Sequence, residues 1–556
     1  MKDFLVAQVH RRPLAALLVI CVLLWLPGFF TLPPLDRDES RFAQATKQML
    51  ETGDFINIRL GDVPRYEKPV GIYWLQAAST AVLGDSARNQ IWTYRMPSLL
   101  GALAAVAATF LLVRLFASVE AAFTAGLLLG ASVLLMSEAK IAKTDAVLLA
   151  CIVAAQAVIM RVYLSMRPPA AVPAPTRGLV MVGWAAFGFG ILIKGPLVVL
   201  VCGASVIAAS LVDRDWRWLS RLHPLPGFAL ALLIVTPWAL AIGIASQGQF
   251  YQQSLGEDFA LKLMGDQETH GAPAGYYALL IHLTFWPGSL ALLPGVVLGI
   301  ARWREPAIRY LLIWAATTWL MFELAPTKLP HYILPAYPAL AALCSLWLMG
   351  SPATSSKLQR VFATVSLTLF VLVGLALAFF IAGAPERFGS GATTALILAA
   401  AAGGIAALAV LRPALKGRRL AAVGMATLSA AILYYAAGFL SVPRLNELWL
   451  SPRLAAAVAR HAMPGDPPVV TAGYAEPSIS FLLGTRTALE TGTGAALIAG
   501  RSGGLALVDS EERDNFLALV AEAGGRAEAL DEISGLNYSR GRETRITLYR
   551  VVPRAS

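Results

Sequence analysis

Four uninterrupted apolar runs, Leu14 to Thr31, Phe228 to Ala245, Val361 to Ala382 and Leu420 to Leu440, limit what this chain can fold into more than any other feature. As a helix, each is long enough to cross a bilayer core of about 30 Å. In hydrocarbon every backbone N–H and C=O must be bonded within the segment, so a bundle of helices is the expected architecture. With 57% hydrophobic and only 14% charged residues among 556, the chain is too apolar for an ordinary soluble globule. Thirteen spans are expected, at 14–34, 97–115, 118–136, 145–163, 179–193, 196–212, 227–246, 276–300, 308–324, 331–349, 361–382, 392–411 and 419–440. Arg11 and Arg12 ahead of the first run resemble the start of a signal peptide. The run continues through Trp25, Phe29 and Phe30 with no small-x-small cleavage pattern, so it reads as an uncleaved span.

The net charge of +11 falls in short clusters between the runs. With a cytoplasmic N-terminus, one face collects Arg114, Arg161, Arg167, Arg177, Arg214, Arg217, Arg221, Arg302, Arg304, Arg309, Lys357, Arg360, Arg412, Lys416, Arg418 and Arg419. That is the positive-inside pattern, and no basic stripe interleaved with aromatics points to nucleic acid. Asp213 to Trp218 reads as an interfacial anchor on the same face. Cys21, Cys151, Cys202 and Cys344 all lie in apolar runs without CxxC spacing, which leaves neither a zinc knuckle nor a redox pair.

The other face receives the long loop 35–96, the turn 137–144, the loop 247–275, the turn 325–330 and the tail. In the first of these, Asp36-Arg-Asp-Glu-Ser-Arg41 and Arg65-Tyr-Glu-Lys68 pack charge densely beside a membrane exit. Asp38 to Glu51 predicts an amphipathic helix stopped at Gly53, and a second helix is expected after Pro69. Two such helices at the membrane surface suit a substrate with a lipid tail and a polar head. Asp38 and Arg41, three residues apart, share a helix side. Asp145 opens a span, where an acid is costly unless it faces a cavity or pairs, for instance with Lys143 or Arg41.

Beyond Ser441 the pattern changes to a small α/β unit. A helix capped by Ser451 is expected through His461, with strands at 468–471 and 504–509, a helix at 511–523 and an edge strand at 544–552. Its glycine clusters lack any GxGxxG or P-loop spacing, so an accessory or recognition role is expected of it.

The segments DRDESRFAQ, GDVPRYEKPVGIYWLQA, AKTDAVL, THGAPAGYY and TKLPHYILPAYPAL resemble the GT-C superfamily of membrane glycosyltransferases. The likeness is nearest to bacterial ArnT-like enzymes, which transfer 4-amino-4-deoxy-arabinose from undecaprenyl phosphate to lipid A and are relatives of the protein O-mannosyltransferases. It covers about residues 10–345 well, and the later spans and tail by general architecture. It implies a mainly α, polytopic membrane protein of the GT-C fold over 1–440, to which the composition change adds a soluble extracytoplasmic α/β domain over 441–556. It implies Asp38 and Asp145 at the reacting centre and Arg41, Lys68 and Lys194 as donor-phosphate cations. Glu39, Tyr66, Lys328, His331 and Tyr332 would contact substrate. Glu67 and His270 match positions associated with a divalent metal, and a carboxylate with an imidazole suits zinc or a similar cation.

The expected reaction is a single inverting displacement at the anomeric carbon, with cations stabilising the departing phosphate. Lipid A phosphate needs no strong base, whereas a hydroxyl acceptor on a protein or glycan would make Asp38 the general base. A lipid or sugar transporter is the reading from another class, but it expects ionisable residues near the bilayer midplane rather than at one face. The expected setting is a monomer in the bacterial inner membrane, with the site on the periplasmic side and membrane lipids around it.

Overall fold

The structure is a computed structural model describing residues 11–168, 172–254, 256, 272–350 and 356–553. Nine helices among these residues are long and apolar enough to cross a membrane, and ten if a bent pair counts as one crossing. The expectation of thirteen long spans is corrected. Pro13–Trp25 and Val119–Ala131 have 13 residues each and Leu197–Asp213 has 17, so the first two rise only about 20 Å. The first run breaks beyond Trp25 at Pro27 and Gly28, and the second breaks at Ser132, which leaves helical backbone to cap a new helix, Val133–Glu138. The run 276–300 is also broken, with Tyr276–Thr284 and Gly288–Ala301 bent by 118°.

Asp145–Ser165 and Pro330–Met349 are the innermost helices, with 72% and 83% of their apolar windows buried, whereas Pro224–Ala245 has 17%. The two central helices are the ones that carry Asp145 and His331, so the core of the bundle holds these residues in place.

Both juxtamembrane helices form as expected. Asp38–Thr52 ends where Gly53 turns left-handed at φ +73°. Gly71 opens the second, Gly71–Ala81, and a β-carbon there would stand 2.8 Å from the Leu192 carbonyl oxygen. Only glycine lets this helix lie against the end of Arg177–Lys194.

The C-terminal unit holds a five-stranded sheet in the order Ala488–Glu490, Val470–Ala472, Gly504–Asp509, Arg542–Val552, Arg526–Asn537. The first three strands are parallel and the last two pair antiparallel. Arg542–Val552 is therefore interior rather than an edge. The true edge, Arg526–Asn537, went unread because its charged sequence RAEALDEISGLN shows no clean apolar alternation. Ser451 does not cap the helix Leu450–His461, and its hydroxyl instead bonds Tyr474 at 2.8 Å.

Candidate active site

The innermost helices meet the juxtamembrane pair around Asp145. Its carboxylate accepts from Lys194 Nζ at 2.7 Å and lies 3.6 Å from Lys143 Nζ and 3.9 Å from His331 Nε2. Lys143 also bonds Glu138 at 2.9 Å. Burial works against the Lys143 ammonium, but Glu138 and Asp145 beside it hold the charge and raise its pKa. Asp38 and Lys68 act on this cluster through space, Asp38 on Lys143 and Lys68 on His331. Lys194 Nζ stands 5.8 Å from the Tyr332 ring centroid, and the His331 and Tyr332 rings meet edge-on at 4.9 Å. The fold thus gathers Asp38, Asp145, Lys68, Lys194, His331 and Tyr332 from segments up to about 290 residues apart.

Asp38 is exposed at the head of its helix and free to meet a ligand, whereas Asp145 is buried. Arg41 is half-buried on the same helix, and its side chain forms no ion pair with a described residue. It is therefore not the partner of Asp145. Tyr66 is buried, its ring 5.9 Å from Phe250. Lys328 donates to the Ala272 carbonyl at 3.1 Å, with Glu323 at 3.8 Å.

Glu39 does not face substrate space. It is fully buried and forms a two-pronged ion pair with Arg95, with Nε at 2.7 Å and Nη2 at 2.9 Å. The same carboxylate accepts from the backbone N–H groups of Leu35 and Ala142, both at 2.9 Å. Arg95 spends its remaining donors on the carbonyls of Phe29, Leu32 and Pro33. One buried pair thus ties the first membrane exit, the Asp38 helix and the turn leading to Asp145. Arg95 was missed, although a cation inside the apolar stretch 91–113 is itself a signal. Arg65 was missed too. It is buried 5.3 Å from the Phe42 ring and acts on both Tyr73 and Asp38.

The expected metal pair lies only half within the described residues. Glu67 is paired with Arg65 at 2.8 Å, and His270 lies outside those residues. No three His, Cys, Asp or Glu side chains among them stand together as a ligand set.

The C-terminal unit grips the first loop. Tyr538 Oη accepts from the Asp36 N–H at 2.7 Å, Ser478 donates to the Asp36 carboxylate, and Arg37 donates to the Ser539 carbonyl. Arg37 sits at φ +66°, a left-handed conformation that costs roughly 1–3 kcal/mol and persists only where surroundings enforce it. Gln44 bonds Thr485 at 2.8 Å, Lys47 bonds the Phe481 carbonyl at 3.0 Å, and Phe481 packs with Ala43, Ile91, Tyr94 and Ala142. Burial pushes the Asp36 carboxyl up to about 6, with Glu476 adding to the rise and the Ser478 and Tyr538 bonds opposing it. An acid raised on folding holds its proton better in the folded state, so stability falls as pH rises from about 4 through 6. Raising the pH from 5 to 7.5 is therefore expected to cost on the order of 1 kcal/mol, allowing for partial exposure. Asp36→Asn should flatten this dependence, and thermal unfolding of both proteins across that range checks it.

Against known proteins, residues 67–240 match the family model described as dolichyl-phosphate-mannose-protein mannosyltransferase. Two curated relatives are undecaprenyl phosphate-alpha-4-amino-4-deoxy-L-arabinose arabinosyl transferases of Pectobacterium. That of P. atrosepticum is 28% identical over 354 residues, and that of P. carotovorum 30% over 352, each alignment covering 61% of this chain and 60% of the relative. The chain thus spans about three fifths of the length of the curated relatives it matches. The crystal structure of ArnT from Cupriavidus metallidurans bound to undecaprenyl phosphate superposes with a TM-score of 0.76 at 19% identity, covering 96% of this chain and 97% of that one. The chain is therefore a polytopic membrane protein of the GT-C fold, with a small C-terminal sheet domain. Its sequence is similar to those of the Pectobacterium transferases over about three fifths of its length, and its fold is similar to that of the C. metallidurans protein over nearly its whole length.

Proposed function

We propose that this chain is a glycosyltransferase that takes a sugar from a polyprenyl phosphate and passes it to a lipid A phosphate, with aminoarabinose or a related sugar as cargo. The observation that carries the reading is the cation-rich cluster around Asp145 beside an exposed Asp38. A sugar phosphate gains charge on its bridging oxygen as the glycosidic bond breaks. Ammonium groups fixed in a partly dry site stabilise that charge without reorganising. Lys68 and Lys194 take this role, joined by Arg41 from the helix Asp38–Thr52. Asp145 holds Lys194 in place, and Asp38 orients the sugar. The acceptor phosphate oxygen attacks the anomeric carbon from the opposite side and inverts it.

This reading counts the bent pair and the three shorter apolar helices as crossings, thirteen in all. It places residues 441–556 and the site on the periplasmic side of the inner membrane. The test uses the full chain in proteoliposomes with undecaprenyl-phosphate aminoarabinose and lipid A. Mass spectrometry should find lipid A heavier by one pentosamine per transfer. Unmodified lipid A together with a glycosylated protein or glycan acceptor would move the reading to that acceptor. Flux of donor without any acceptor modification would replace it with transport.

A further inference from the structure

The face opposite the candidate site carries features that the proposed transfer does not use. Arg177–Lys194 delivers Lys194 to Asp145, so Arg177 lies about 26 Å away along the axis. At that end the helices Asp145–Ser165, Arg177–Lys194, Leu197–Asp213 and Pro224–Ala245 leave a cleft of about 310 Å³. Its walls are apolar, with Trp184, Phe187, Val199, Val206, Leu222 and Phe228 among them. Val199 and Phe228 are 40% and 54% exposed, so the cleft opens sideways onto the bilayer.

Four exposed arginines, Arg177, Arg214, Arg217 and Arg221, stand at the same end, and none forms an ion pair with a described residue. The nearby acids are already engaged. Asp213 accepts from Tyr163 and Arg167, each at 2.7 Å, and pairs with Arg309 at 2.8 Å, while Asp215 lies 3.7 Å from Arg167. The segment 213–218 is thus more than a surface anchor, since Trp218 is fully buried against Tyr163. Its continuation, the turn Arg217–Leu222, places Leu219 and Leu222 in the cleft wall and Arg217 and Arg221 one or two residues away.

Depth fits as well. Arg177 precedes the wall residue Gly183 by six positions and Arg214 follows Val206 by eight, so they sit about 9 and 12 Å along their helices from these points. Headgroups lie at such a distance from the upper acyl chain. Guanidinium forks match phosphate oxygens in pairs, and four unmatched positive charges favour a headgroup with net negative charge over a zwitterion.

We propose that this cleft binds an anionic glycerophospholipid of the leaflet opposite the candidate active site, its acyl chain against Trp184, Phe187 and Phe228 and its phosphate at Arg217 and Arg221. The proposal does not depend on the transfer reaction, because its test reads binding alone.

The full chain, stripped of copurified lipid in detergent, is titrated with dioleoyl phosphatidylglycerol and with dioleoyl phosphatidylcholine and read by native mass spectrometry. The glycerol lipid should bind about tenfold more tightly. Arg217→Gln with Arg221→Gln should bring the two lipids level. Gly203→Leu should weaken both, because no atom lies within 4 Å of the β-carbon position and the new side chain enters the cleft. Thermal unfolding checks that both variants are folded. Equal affinity for the two lipids in the unaltered chain overturns the proposal, as does a preference that survives the double glutamine variant. Undecaprenyl phosphate displacing phosphatidylglycerol at equal potency, with both lost in Gly203→Leu, would assign the cleft to the donor's tail and overturn it equally.

Discussion

Replacing Arg95 with methionine is expected to cost about 3–5 kcal/mol and most of the folded yield, the usual penalty for stranding a buried charge. All five Arg95 donors are used, two on Glu39 and three on the carbonyls of Phe29, Leu32 and Pro33. The Glu39 carboxylate is equally saturated, by Arg95 and by two backbone N–H groups. Removing the guanidinium leaves a dry carboxylate and three unpaired carbonyls. Arg95→Lys should restore only part of the loss, because an ammonium has three donors against five. Arg95→Met with Glu39→Leu should also recover in part, since it removes the stranded charge but not the orphaned backbone groups. Fluorescence-detected size exclusion and thermal unfolding read both effects. An Arg95→Lys protein as stable as the unaltered chain would show that the fork geometry is dispensable.

The second large effect falls on rate. Lys194→Ala and Lys68→Ala are each expected to lower sugar transfer about 10²–10³-fold, the range for losing one preorganised group at a developing charge. Stability should change less than in Arg95→Met. Without Lys194, Asp145 keeps Lys143 at 3.6 Å and His331 at 3.9 Å. A drop confined to KM, with kcat unchanged, would mean that the lysines bind donor and transition state alike. Proteoliposome assays over a range of donor concentration separate the two cases. Full activity in either variant would remove that lysine from the phosphate site.

Much of the membrane-surface architecture was legible because its signals are local. The helix Asp38–Thr52 follows from the spacing of Phe42 and Met49 and from the stop at Gly53. The second helix follows from apolar periodicity after Pro69. The role of Glu39 was not legible. Beside Asp38 in sequence it looks like another acid at the substrate, yet successive helical residues point about 100° apart, and its side chain turns inward to Arg95. Of the partners of Asp145, Lys143 was legible two residues away, whereas Lys194 arrives from 49 residues on, at the end of another helix. In the tail, the strand Gly504–Asp509 announced itself as a short apolar run, but the charged edge Arg526–Asn537 did not.

The sequence by itself determined that the chain lies in a membrane, which face collects the charged loops, where the first surface helix begins and ends and where the second begins. Those properties depend on hydrocarbon length, charge asymmetry and helical period, all carried by neighbouring residues. Only the tertiary structure decided that the helices Pro13–Trp25 and Val119–Ala131 end after 13 residues, that Glu39 belongs to the scaffold and that the C-terminal sheet domain grips Asp36. These depend on which groups meet after the bundle closes. A buried charge is placed by whatever partner can neutralise it, and no local pattern names a partner held on another helix.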